Sequence, residues 1–125
     1  MIQCGFTLIG PVAIFRRMSA EPIVVYCTCP DASTAQGLAR RLVEAGLAAC
    51  VSVTPPLTSV YRWQGHTEVA QEVLMLVKTT RNRYAELERV ILAAHPYELP
   101  EIIALPVTAG LHGYLDWVEQ CTSAS

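Results

Sequence analysis

Glu68-Val69-Ala70-Gln71-Glu72-Val73-Leu74-Met75-Leu76-Val77-Lys78-Thr79-Thr80 is the stretch on which the fold turns. Val69, Val73, Met75 and Val77 fall on one face of a two-residue period. Glu68, Glu72, Leu74, Leu76 and Lys78 fall on the other, which is the alternation of a strand. The run is long: its 13 residues at about 3.3 Å each outreach an ordinary strand. In a small domain such a strand overhangs its own sheet, and its free end is expected to pair with another subunit.

Upstream, Gln64-Gly65-His66 reads as a hairpin turn, since glycine takes the positive φ such turns need. It joins the long strand to a partner from Leu57 to Trp63. Pro55-Pro56 marks a bend or bulge, because proline donates nothing to a ladder, and the strand Ala49 to Val53 precedes it. Before that, Ala35, Leu38, Ala39 and Leu42 recur at helical spacing, with Arg40, Arg41 and Glu44 largely opposite. Asp31 is placed to cap this helix and Gly46 to stop it. Ile23 to Cys29 is a β-branched apolar run suited to a central strand, ended by Pro30.

Downstream, Asn82 is placed to cap a second helix whose buried stripe is Tyr84, Leu87, Ile91 and Ala94, with Pro96 ending it. Glu101 to Val107 reads as a fourth strand. Leu111, Tyr114, Leu115 and Val118 mark a last helix running to about Cys121. The order β-α-β-β-α-β plus one helix predicts an α+β protein: a ferredoxin-like sandwich, antiparallel sheet with two helices on one face, and a C-terminal helix.

At 125 residues, the chain fits one domain. It is 52% hydrophobic and 16% charged, an apolar balance that predicts surface hidden in an oligomer. A formal charge of -2, with no basic cluster beyond Arg40-Arg41 and Arg81-Asn82-Arg83, argues against nucleic acid as a partner. No uninterrupted apolar run is long enough to cross a bilayer, so no membrane partner is expected. The five cysteines, Cys4, Cys27, Cys29, Cys50 and Cys121, form no paired framework and read as reduced and intracellular. Phe6 to Phe15 is apolar, but Arg16-Arg17 follow it, the wrong order for a secretory signal, and Met18-Ser19-Ala20 would make a natural start. Residues 1–19 are therefore expected to be an extension outside the core, and 20–125 the domain.

Cys27 and Cys29 lie two apart on one strand and share a face, so their thiols suit a soft cation such as copper or zinc. Equally, buried cysteine is a small hydrophobe, and no Cys-x-x-Cys or His-x-x-x-His spacing supports ligation. His95, beside Pro96 at a helix end, has three readings: a cap on the last carbonyls, a ligand, or a titrating group in a pocket. Tyr61 and Trp63 share a face of the hairpin, and with Lys78 and Tyr97 they could bind a small anion or planar ligand. The competing reading is an aromatic anchor between subunits, with Lys78 snorkelling to water. No nucleophile elbow or phosphate loop is present, so an enzyme is not expected.

Together these segments resemble the CutA family of divalent-cation tolerance proteins. The matching stretches are Val25-Tyr26-Cys27-Thr28-Cys29-Pro30-Asp31, Leu47-Ala48-Ala49-Cys50-Val51, Thr58 to Gly65, Glu72 to Thr79, His95-Pro96-Tyr97-Glu98-Leu99-Pro100-Glu101 and Leu105-Pro106-Val107. The resemblance implies a ferredoxin-like subunit in a homotrimer with strands pairing across subunits, in the cytoplasm, linked to tolerance of copper and other divalent metals. Likeness to the PII signalling proteins implies an alternative: a signalling or scaffold trimer holding a small anion between subunits, near Tyr61, Trp63, Lys78 and Tyr97. Bacterial members are described with copper on a strand cysteine and two adjacent histidines before Pro-Tyr. Cys27 matches the cysteine and His95 the second histidine. Ala94 stands at the first, which leaves an incomplete set, with Cys29 the first choice of substitute.

Overall fold

The structure, a computed structural model, describes residues 20–123. The extension expected at residues 1–19 lies outside the described residues. Five strands run β1 Pro22–Cys29, β2 Cys50–Val53, β3 Leu57–Trp63, β4 His66–Thr80 and β5 Ile103–Pro106. The helices are α1 Ala32–Glu44, α2 Tyr84–Ala94 and α3 His112–Thr122.

The central strand β4 is 15 residues long, and its two halves live differently. Val73–Thr80 is paired with β1 along its whole length, Cys29↔Val73 to Pro22↔Thr80, and over Met75–Lys78 with β2 as well, Val53↔Met75 to Cys50↔Lys78. His66–Glu72 is paired on one side only, with β3. The sheet order is β2-β4-β1-β5, with β3 on the remaining length of β4. All pairings are antiparallel. With β2 and β3 counted as one interrupted strand, this is the ferredoxin-like order.

Local chemistry sets the joints. Between Val53↔Met75 and Leu57↔Glu72, three residues face two, so Pro55-Pro56 sits in a bulge. Thr54 covers the break: its amide donates to the Leu74 carbonyl and its Oγ1 accepts the Leu74 amide. Gln64 and Gly65, at φ 50° and 82°, make the two-residue turn, so His66 starts the strand rather than sitting in the turn. Asp31 accepts the Thr34 amide at 2.7 Å and caps α1. Gly46, at φ 70°, closes α1: its amide reaches the Val43 carbonyl and that of Leu47 the Leu42 carbonyl.

The alternation of β1 and β4 delivers Ile23, Val25, Cys27, Cys29, Val73, Met75 and Val77 to one face. There they meet Ala35, Leu38 and Leu42 of α1 and Leu87 and Ile91 of α2. On the other face α3 lays Trp117 and Val118 against Ala49 and Cys50.

Several expectations are corrected. Asn82 does not cap α2: residues Arg81–Arg83 form a 3-10 turn, in which Asn82 accepts the Thr80 hydroxyl, and Arg83 takes the cap position without a side-chain bond. Ala94 is exposed instead of completing the buried stripe of α2, because the helix ends there and no sheet lies under it. The fourth strand is shorter than Glu101 to Val107: the ladder with β1 runs over Ile103–Pro106, and the Val107 amide adds one bond to the Pro22 carbonyl. Cys121 is disulfide-bonded, so not all cysteines are reduced; Cys27, Cys29 and Cys50 are free. The sequence misjudged this because spacing along a chain does not reveal which thiols folding brings within bonding distance.

Candidate metal centre

Cys27 and Cys29 sit at the end of β1, at positions whose parity points them into the core, and both are fully buried. His95 reaches them because of Pro96. A residue before proline is driven out of the helical region, and His95 accordingly is extended, at φ -76° and ψ 136°. Its amide still closes the last turn of α2 on the Ile91 carbonyl. The imidazole is thereby turned onto β1, where it is 9% exposed.

The fold brings Cys27, Cys29 and His95 together: one donor atom from each lies within 4.8 Å of the others. Among the described residues this is the group with the spacing to hold a metal ion. Cys27's proton has two acceptors in reach, the Thr28 carbonyl at 3.7 Å and the Cys29 sulfur. That bond to Cys29, and then burial, push the Cys27 thiol far above the ordinary thiol range. The same bond draws Cys29 below it, so Cys29 is the thiol that ionises first.

His95 does not cap helix carbonyls with its side chain. Its Nε2 lies 2.8 Å from the Thr28 carbonyl, and its Nδ1 accepts the Tyr97 amide at 3.1 Å. A carbonyl can only accept and an amide N–H can only donate, so these partners fix the neutral ring with its proton on Nε2. Tyr97 in turn packs its ring on the imidazole, with centroids 4.7 Å apart, and donates its hydroxyl to buried Glu72 at 2.7 Å. Burial, then the bond to Glu72, raises the Tyr97 hydroxyl well above its usual range. Glu72 was not legible as part of this site. Its two-residue period puts it on the face opposite Val73, and its bond to Tyr97 joins residues 25 apart in sequence.

Two thiols and one imidazole form a soft donor set that suits copper or zinc. Zinc–sulfur bonds of about 2.3 Å place tetrahedral sulfurs about 3.8 Å apart, so donors within 4.8 Å need only a small contraction. The residues fit a thiophilic cation on two conditions: the thiols must lose their protons, and the imidazole must free its lone pair from the Tyr97 amide.

The other candidates are not gathered within one chain. Trp63 is at the hairpin tip, paired with His66. Lys78 lies 12 residues further along β4, about 40 Å away at strand rise. Its ammonium donates to Ser52 Oγ at 2.7 Å and approaches Cys50 Sγ at 3.9 Å. Tyr61 is exposed on β3, near enough to Tyr97 to help raise its hydroxyl, after burial, Glu72 and Cys29.

Comparison with known proteins gives a consistent relationship. A family model described as CutA1 divalent ion tolerance protein matches residues 23–121. The divalent-cation tolerance protein CutA of Thermus thermophilus is 48% identical over 99 residues, which cover 79% of this chain and 96% of that protein. The solved structure of the divalent cation tolerance protein (Cut A1) from Thermus thermophilus superposes with a TM-score of 0.80 at 47% identity, covering 82% of this chain and 99% of that one. The CutA of Archaeoglobus fulgidus superposes at 0.79 with 37% identity, covering 82% and 99%. That last protein is described as periplasmic, which overturns the expectation of a cytoplasmic location. Three free thiols, two of them deep in a core, do not mark a compartment, and Cys121 is not reduced. Among the described residues, no helix is long and apolar enough to cross a membrane.

Proposed function

Because the chain belongs to the CutA1 divalent ion tolerance family, we propose that it serves metal tolerance by binding a cation, without catalysis, through Cys27, Cys29 and His95. Copper is the cation this soft donor set suits best, and Cu(I) in particular, since thiolates select it. The reading rests on one observation: three buried donors from two separate elements converge within 4.8 Å. Cys29 takes the position that Ala94 leaves without a donor. The Nε2–H bond to the Thr28 carbonyl orients the ring, the kind of outer support that ligating histidines use.

The working form is a homotrimer. Val60 and Val69, opposite each other on the hairpin, are each 67% exposed. Ile103 on the edge strand β5 is 51% exposed. A two-stranded ribbon is marginal alone in water, and an apolar sheet edge calls for cover. Strand pairing between subunits supplies both.

Titration of the reduced protein with Cu(I) and with Cu(II) tests the site. One tightly held Cu(I) per chain is expected. Cys27→Ala and His95→Ala are each expected to weaken binding at least about 100-fold, beyond the loss typical of supporting residues. Unchanged affinity in both variants would rule out these donors.

A further inference from the structure

His95 cannot ligate while Tyr97 stays where it is. In the neutral ring with its proton on Nε2, the lone pair belongs to Nδ1, and the Tyr97 amide occupies it. Moving the proton to Nδ1 would free Nε2 but set two hydrogens against each other at Nδ1. Either route requires the Tyr97 amide to leave. The other end of the same residue is also tied down: its hydroxyl donates to Glu72 Oε2 at 2.7 Å.

Resting on the reading of the pocket as a cation site, we propose that Tyr97 and Glu72 form a latch over it. Opening their bond releases the Tyr97 amide from His95 and exposes the thiols of Cys27 and Cys29. Both residues are positioning residues, acting through His95 and touching no cation themselves. Glu72 is also the last residue of β4 before β1 pairing begins at Val73, so the latch is fixed to the point where the hairpin leaves the sheet.

The latch is tested first without metal, by thiol-reagent labelling resolved to each cysteine by mass spectrometry. Tyr97→Phe keeps the ring and removes the bond; Glu72→Ala removes it from the other side; Glu72→Gln keeps an acceptor. Labelling of Cys27 and Cys29 is expected to rise roughly 10- to 100-fold in the first two, the range a hydrogen bond to a carboxylate supports. Glu72→Gln should stay near the wild-type rate, and Cys50 should not change in any variant. Cadmium uptake, followed by thiolate charge-transfer absorption, should be faster in Tyr97→Phe, and that gain should vanish when His95→Ala is added. Equal labelling of Cys27 in wild type and Tyr97→Phe would overturn the latch, as would a parallel rise at Cys50, which signals general loosening. Faster labelling in a protein that takes up no cadmium would leave the latch standing and overturn the cation reading instead.

Discussion

The two halves of β4 share one backbone and one alternating pattern, yet one half is self-sufficient and the other is not. From Val73 to Thr80 the strand is paired with β1, over Met75–Lys78 with β2 too, and its inward residues meet two helices. From His66 to Glu72 it has one neighbour and no helix, and its apolar residues face outward. Alternation alone therefore does not say whether a face is buried; the second layer decides. The candidate metal centre lies where the two regimes meet, with Cys29 at the last paired position of β1 and Glu72 the last ribbon residue of β4.

The largest effect is expected from the ribbon. Val60→Lys with Val69→Glu keeps a compatible cross-strand pair while removing the apolar surface offered to neighbours. On the proposed trimer, sedimentation should show the mass falling to that of a monomer, with circular dichroism retaining the body's helices. A variant that stays trimeric would move the interface elsewhere. In the body, Met75→Ala should cost about 2–5 kcal/mol, the range for emptying a closed core site, read by denaturant unfolding at fixed protein concentration. A loss below about 1 kcal/mol would mean that this core repacks freely.

A smaller effect is expected at the hairpin tip. Gly65 lies at φ 82°, so Gly65→Ala should destabilise by about 1 kcal/mol, with the loss appearing in dissociation of the proposed trimer more than in unfolding of the body. The smallest concerns the cap of α1. The Thr34 amide holds the Asp31 carboxyl below the usual carboxylate range. A carboxyl lowered in the fold stabilises it above the unfolded value, about 3.9, and that contribution is lost as pH falls through the lower folded value. Asp31→Asn keeps an acceptor but does not titrate. Its melting temperature should therefore lie slightly below wild type at neutral pH, and the gap should close in acid.

Much of the body was legible because its signals are local. The two-residue period of β1 and β4, the Asp31 cap, the Gly46 stop and the Gln64-Gly65 turn each act within a few residues. The pairing of Cys27, Cys29 and His95 was partly legible: a strand period puts the thiols on one face, and proline fixes where the histidine leaves its helix. The rest depended on contacts remote in sequence. Nothing near His95 announces that its ring meets the Thr28 carbonyl, 67 residues away. Nor does anything near Glu72 announce that the Tyr97 hydroxyl, 25 residues away, bonds to it. Asn82 has the right chemistry for a cap, but the 3-10 turn moves the helix start past it. Lys78 and Trp63 read as candidates for one ligand, while the length of β4 holds them far apart within one chain.

The same contrast separates the places where the proposed cation could bind. The ribbon offers His66 and Glu68 in the open, and the body offers two thiols and one imidazole in the core. X-ray absorption of the protein loaded with one Cu(I) per chain counts the neighbours of the metal directly. Two sulfurs and one nitrogen are expected from Cys27, Cys29 and His95. A shell of oxygen and nitrogen alone would place the ion outside this pocket and contradict the assignment.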